Sequence, residues 1–176
     1  MTVEIENKDS HFYMQRAMEL AAIAEKEGEV PVGAVIVLDG KIIGEGWNRS
    51  IGTHDATAHA EMMAIKQAGQ KIENYRLVDA TLYVTLEPCP MCAGAIVHSR
   101  IKHVVFGATD MKTGASGSVI NLFTSATAFH FVECESGILE EECRAQLQAF
   151  FKRRRKEKKE ERKLQREEEL KNQMMD

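Results

Sequence analysis

Two thiols three residues apart, Cys89 and Cys92, and an imidazole followed two residues on by a carboxylate, His59 and Glu61, are the side chains of this sequence best suited to chemistry. Two sulfurs and one ring nitrogen make three ligands for a zinc ion. Three ligands leave a fourth tetrahedral position open, which separates a catalytic zinc from a structural one. That position takes water, and a carboxylate beside it that is not a ligand can carry the proton the water gives up.

The spacing is meaningful only on particular elements. On a helical turn Cys89 and Cys92 fall on one side and can grip a single ion. His59 and Glu61 diverge on a helix flank and converge only at a helix end. The apolar recurrence Met62, Ile65, Ala68 predicts a helix opening near His59, and Pro90 followed by Met91 to Val97 predicts another opening near Cys89. Two helix N-termini then point at one ion, where unpaired N–H groups and positive dipole ends favour anions and hold thiolates ionised.

The flanking sequence predicts the scaffold. Residues 11 to 27 read as a helix, with Asp9 or Ser10 as N-cap and Gly28 just past its end. Val32 to Leu38 is almost unbroken apolar, Asp39-Gly40 is a hairpin turn signal, and Lys41 to Trp47 returns. The first of these strands should be central, with both faces covered. After the helix at 59 to 71 come a strand (81 to 86), a helix (90 to 98), a strand (102 to 107) and a Gly/Ser/Thr loop through Ser118. A strand over Phe129 to Cys134 and a helix from about Leu139 follow. Strands alternating with helices imply an α/β fold, a mixed and partly parallel sheet with helices on both faces. In such sheets ligands gather beyond strand ends and at helix N-termini, where both motifs fall.

Composition narrows the class. At 176 residues and 44% apolar content the chain suits one domain with a sizeable core plus an extension. There is no apolar stretch of spanning length and no charged-then-apolar leader, so the expectation is a cytoplasmic protein without a membrane partner. Cys134 and Cys143 lie on separate predicted elements, are expected to be small buried side chains, and do not suggest a disulfide framework. The net charge of −4 is unevenly spread: Lys152 to Asp176 carries 11 basic and 7 acidic residues, leaving −8 for residues 1 to 151. An acidic body is poor ground for nucleic-acid binding, so any RNA contact needs a local patch. The run Lys152-Arg153-Arg154-Arg155-Lys156 directly after Phe150-Phe151 is the candidate, as an anchored helix turn presenting cations.

Simpler readings compete for the same residues. A Cys-x-x-Cys pair can be a redox centre, but the thioredoxin context is missing and a partner His-x-Glu opens another helix. A structural zinc would require a fourth Cys or His and would leave Glu61 without a use. His54, His98, His103 and His130 read as surface or satisfied core residues, and Met14, Met18, Met62 and Met63 as core fillers.

Taken together, the segments Val30-Pro31-Val32-Gly33-Ala34, Gly46-Trp47-Asn48-Arg49, Thr57-Ala58-His59-Ala60-Glu61, Pro88-Cys89-Pro90-Met91-Cys92-Ala93-Gly94-Ala95 and Phe106-Gly107-Ala108-Thr109-Asp110-Met111-Lys112-Thr113-Gly114 resemble the bacterial-type tRNA-specific adenosine deaminases (the TadA family). The resemblance covers nearly everything from Phe12 to Arg155. It implies the cytidine-deaminase-like fold, a three-layer α/β/α arrangement around a five-stranded mixed sheet, as a domain over residues 1–156 with a charged helical or disordered extension over 157–176. It implies one zinc per subunit on His59, Cys89 and Cys92, with Glu61 as proton shuttle. It further implies that Asn48 binds the flipped adenine, that Val30, Pro31, Ala60 and Leu86 line its pocket, and that Asp110 contacts a neighbouring sugar. Phe151 and Arg154 would meet RNA. The reaction implied is adenosine to inosine at the wobble position of a tRNA anticodon stem-loop, by a homodimer. Guanine deaminases carry a nearly identical motif, and only the Asp110 loop and residues 150–155 speak for RNA over a free base. A non-catalytic RNA-binding or zinc-scaffold protein would have no need of Glu61.

Overall fold

The structure, a computed structural model, describes residues 2–126 and 128–174, with the backbone alone for 2–9. In chain order the elements are α1 (Thr2–Lys26), β1 (Gly33–Leu38), β2 (Lys41–Trp47), α2 (Ser50–Thr53), α3 (Ala60–Ile72), β3 (Thr81–Leu86), α4 (Pro90–His98), β4 (His103–Ala108), β5 (Glu133–Ser136) and α5 (Glu140–Gln173). The strands form one five-stranded sheet in the order β2-β1-β3-β4-β5. β1 runs antiparallel to β2 and β3, while β3, β4 and β5 are mutually parallel, so the sheet is mixed as anticipated.

Strand alternation splits the core in two. Ala34, Ile36, Leu82, Val84, Val104 and Phe106 face α3 and α4, with Ala60, Ala64, Ala68, Ala93 and Ile96 packed on them. Val35, Val37, Tyr83 and Val105 face the other way, against Met14, Ala17 and Leu20 of α1 and Cys143 of α5. This is the three-layer arrangement. Strand β1 is buried along both faces, as its unbroken apolar run predicts. The β1–β2 hairpin turns at Asp39 (φ 50°) and Gly40 (φ 72°), the left-handed pair a two-residue turn requires.

Placement of α3 depends on small residues. A Cβ at Gly46 would lie 2.3 Å from the Ala60 carbonyl oxygen and 2.6 Å from the Ala64 nitrogen, and one at Gly44 would lie 2.4 Å from the Ala64 carbonyl oxygen. Strand β2 therefore touches the first turns of α3 backbone to backbone, which sets the height of His59 above the sheet.

Several expectations are corrected. Helix α1 begins at Thr2, and Asp9 and Ser10 lie inside it rather than capping it. No Gly or Pro interrupts residues 2–9, and Asp or Ser caps a helix only where the chain turns. The last strand is Glu133–Ser136, not 129–134. Residues 129 and 130 instead cross the start of β4: the Phe129 ring lies against His98 and under the Arg100 guanidinium, and His130 Nε2 bonds the Ile101 carbonyl. Cys134 is exposed on this edge strand, whereas Cys143 is buried as expected. The single turn α2 has no apolar periodicity and was not predicted.

Gly46→Ala is expected to destabilise the fold by about 1–3 kcal/mol, the usual cost of overpacking. Because the clash falls on Ala60, next to His59, zinc affinity should fall too. Chemical denaturation and a zinc titration check both, and wild-type values in the variant would disprove the contact's role.

Candidate metal centre

His59 and Cys89 are the N-cap residues of α3 and α4, both in extended conformation (φ −75°, ψ 156° and φ −75°, ψ 171°). Each begins its helix with a backbone bond: the Met63 N–H donates to the His59 carbonyl at 3.0 Å and the Ala93 N–H to the Cys89 carbonyl at 2.9 Å. Pro90 sits in the first turn, where its fixed φ suits the helix and its missing N–H costs nothing. Strands β3 and β4 are parallel, with Leu86 paired to Ala108 at their C-terminal ends, and both helix starts gather there.

Three ligand atoms converge. His59 Nδ1 lies 3.6 Å from Cys89 Sγ and 3.6 Å from Cys92 Sγ, and all three atoms are within 4.8 Å of one another. Zinc bonds of ~2.3 Å to sulfur and ~2.0–2.1 Å to nitrogen, at the tetrahedral angle, put N and S about 3.6 Å apart. The donor set and its spacing thus fit zinc with one position open.

Glu61 lies in the first turn of α3 and is 4% exposed. Burial pushes its carboxyl up to about 7, against the pull of its own backbone hydrogen bond. The sulfurs divide a proton unevenly. A hydrogen bond from Cys92 brings the Cys89 thiol down to about 4, and that same bond, with burial, pushes the Cys92 thiol far above its ordinary value. His59 is raised, chiefly by its hydrogen bond with Cys89.

The remaining predicted residues fall into three groups. Asn48, Ala60 and Val30 are joined: Asn48 Oδ1 accepts the Ala60 N–H at 2.9 Å, and Asn48 Nδ2 donates to the Val30 carbonyl at 3.1 Å. Pro31 is buried beside Val30. Leu86 closes β3, and Asp110 follows two residues after the end of β4. Burial raises the Asp110 carboxyl, but hydrogen bonds from the Lys112 N–H and from the Thr113 hydroxyl and N–H outweigh it and hold it below its ordinary value. Phe151 and Arg154 lie on α5, where Phe151 is 44% exposed and Arg154 pairs with Glu157 at 2.9 Å. Neither belongs to the candidate ligand group of His59, Cys89 and Cys92.

Two buried carboxylates escaped the sequence reading. Glu29 accepts the Ile51 and Gly52 N–H groups at 3.2 and 2.7 Å, ordering the start of α2. Glu87, 2% exposed between β3 and Cys89, accepts from Asp110, Ser116 and Ser118. The only signal was position, a Glu next to Val30-Pro31 and a Glu next to Pro88-Cys89. Local pattern does not distinguish these from solvated strand ends.

An open three-ligand zinc position with a buried carboxylate that is not a ligand, set on the strand ends of a three-layer α/β/α fold, defines a zinc-dependent deaminase. Residues 7–108 match the family described as the cytidine and deoxycytidylate deaminase zinc-binding region. The tRNA-specific adenosine deaminase of Haemophilus influenzae is 57% identical over 141 residues, covering 80% of this chain and 82% of its own. That of Bacillus subtilis is 51% identical over 140 residues, covering 80% and 87%. A structure solved in a study of A-to-I editing by tRNA:A34 deaminases at the wobble position is 43% identical, superposes with a TM-score of 0.76, and covers 77% of this chain and 99% of that one. The chain belongs to the tRNA-specific adenosine deaminase family of zinc-binding deaminases.

Zinc uptake must displace the proton on Cys92 and, below the raised His59 value, a second proton. Both are more firmly held at low pH, so zinc affinity should rise with pH, about tenfold per unit for each proton released. Competition with a chelator between pH 6 and 8 measures the slope. A pH-independent affinity would mean that these groups are not the ligands.

Proposed function

We propose that this chain is a cytoplasmic, homodimeric tRNA adenosine deaminase that converts adenosine to inosine at the wobble position of an anticodon, with His59, Cys89 and Cys92 holding zinc and Glu61 moving protons. The observation that carries the reading is the pairing of a three-ligand centre with a buried Glu61 two residues from one ligand, in a chain whose relatives are named for this reaction.

Zinc, when bound, lowers the pKa of its water from ~15.7 toward ~7 and so supplies a nucleophile at neutral pH. Glu61 has to begin ionised, and a bound zinc cation would favour that form against the burial that pushes its carboxyl up to about 7. It takes one water proton and delivers it to N1 of adenine as oxygen adds at C6, then takes the second proton from the added oxygen and passes it to the departing amine. Water and adenosine thereby become inosine and ammonia. Asn48 orients the base: with Oδ1 and Nδ2 each already engaged once, the amide still offers one N–H and one lone pair to a purine edge. Val30, Pro31, Ala60 and Leu86 would form the walls around it. The base must leave its stack, at a cost of a few kcal/mol that is lowest in a loop, which suits an anticodon.

RNA contact on an acidic body needs local cations. Arg153 is committed elsewhere, to Glu25 at 2.6 Å and to the face of Phe150. Phe151 and Arg154, with Arg155 beside them on α5, carry the contact together with Asp110 on the loop after β4. We assign residues 1–156 to the deaminase domain and 157–176 to an extension.

Purified protein given an anticodon hairpin, free adenosine, guanine and cytidine should release ammonia chiefly from the hairpin. Faster release from guanine would overturn the assignment. Glu61→Gln should keep its zinc and lose about 10²–10⁴ in rate, the usual worth of a general acid–base group. Loss of zinc with activity would make Glu61 a ligand.

Neutralising Arg154 and Arg155 should flatten the salt dependence of RNA binding by about 0.7–0.9 per lost phosphate contact. Truncation after Lys156 should do much less, since the remainder carries 6 basic against 7 acidic residues. An unchanged slope in the double variant would place the RNA surface elsewhere.

A further inference from the structure

The buried carboxylate of Glu87, outside the candidate metal centre, accepts four hydrogen bonds. Its Oε2 accepts the Asp110 N–H at 2.9 Å and the Ser118 hydroxyl, and its Oε1 accepts the Ser116 N–H at 3.1 Å and the Ser118 N–H at 3.0 Å. Four donors fill the four lone-pair sites of a carboxylate, and all four come from the loop between β4 and β5. The backbone continues the seam: the Glu87 N–H donates to the Ala108 carbonyl and the Ala115 N–H to the Pro88 carbonyl, both at 2.9 Å. Residues 108–118 are thus fastened to residues 87–88, one step before Cys89.

The loop is shaped to receive this carboxylate. A Cβ at Gly114 would come within 2.5 Å of Glu87 Cδ and 2.4 Å of the Asp110 carbonyl oxygen. Only glycine lets the chain close over Glu87. Asp110, in turn, spends both its oxygens on the turn it begins, accepting from the Lys112 N–H at 2.9 Å and the Thr113 hydroxyl at 2.8 Å. The position of Asp110 is therefore set from beneath, by its own N–H on Glu87.

We propose that Glu87 is a positioning residue for RNA recognition, holding the 109–118 loop at a fixed distance from the zinc centre so that one strand end aligns the reacting base and its flanking nucleotide. This rests on the tRNA reading above. Glu87 touches neither metal nor substrate, and its effect passes through the loop. Among the described residues no ion pair reaches Glu87, and a buried carboxylate without one is an expensive way to tie a loop unless the tie must be multidentate. Here it clamps three backbone donors at once, which no neutral side chain of its size can do.

The test uses the zinc-loaded full chain and three variants. Glu87→Gln turns one acceptor into a donor facing the Asp110 N–H, Gly114→Ala presses on the same contact from the other side, and Ser118→Ala removes one donor with little threat to folding. Expected for the first two are wild-type zinc content, faster amide exchange at Asp110, Ser116 and Ser118, and a KM for the anticodon hairpin raised about tenfold with kcat within about twofold, in keeping with losing one or two charge-assisted hydrogen bonds. Ser118→Ala should show a smaller rise in KM, non-additive with Glu87→Gln. Lower stability with unchanged hairpin KM would make Glu87 merely structural, and zinc loss would place it in the metal site; either overturns the proposal while wild type remains active on the hairpin. A wild type inactive on the hairpin overturns the tRNA reading and this proposal with it.

Discussion

The demand that two helix starts, thirty residues apart in the chain, meet within a few ångströms organises this molecule. Zinc accepts ligand atoms over a narrow range of separations, and the atoms here sit 3.6 Å from His59 Nδ1 to either sulfur. The parallel pairing of β3 with β4 places α4 over the strand ends. Gly44 and Gly46 bring α3 down to the same level, and Asn48 fastens its first N–H. The electrostatics follow from this placement. At the N-cap of α4 the hydrogen bond from Cys92 brings the Cys89 thiol down to about 4, and Glu61, carried inward by the first turn of α3, is desolvated where a zinc cation would offset its burial.

Such a site is legible in sequence because its constraints are local. A Pro one residue after Cys89 marks a helix start, and a His and Glu two apart can cooperate only at another. The hairpin turn and the apolar strand before it are equally local. What stayed hidden depends on partners distant in sequence. Residues 129–130 have strand composition, yet Phe129 is claimed by His98 and Arg100, so pairing begins only at Glu133. Cys134 then falls on an exposed edge strand. Glu29 and Glu87 look like ordinary charged residues at strand boundaries until the loops that supply their donors are folded over them.

These two carboxylates share a design. Each is buried, each accepts two or more backbone N–H groups, and each orders a short segment: the turn α2 in one case, the Asp110 loop in the other. Irregular backbone has unpaired donors that must be satisfied somewhere. A carboxylate satisfies several at once, so the segments beside the candidate metal centre need not rely on packing alone.

The long last helix follows a different economy. Its opening turns are docked by Cys143, Leu147 and Phe150, and Arg153 reaches back to Glu25 of α1. Beyond Glu157 every described side chain is exposed, and the helix carries its own pairs, Lys156 with Glu160 at 4.0 Å and Lys163 with Glu167 at 3.9 Å. Exposed pairs of this kind contribute only about 0.2–0.5 kcal/mol each, too little to nucleate a helix unaided. The distal turns therefore exist as a continuation of the docked ones. Arg153 does structural work at the junction, which leaves Lys152, Arg154, Arg155 and Lys156 as the cations of the basic turn that are not tied back to α1.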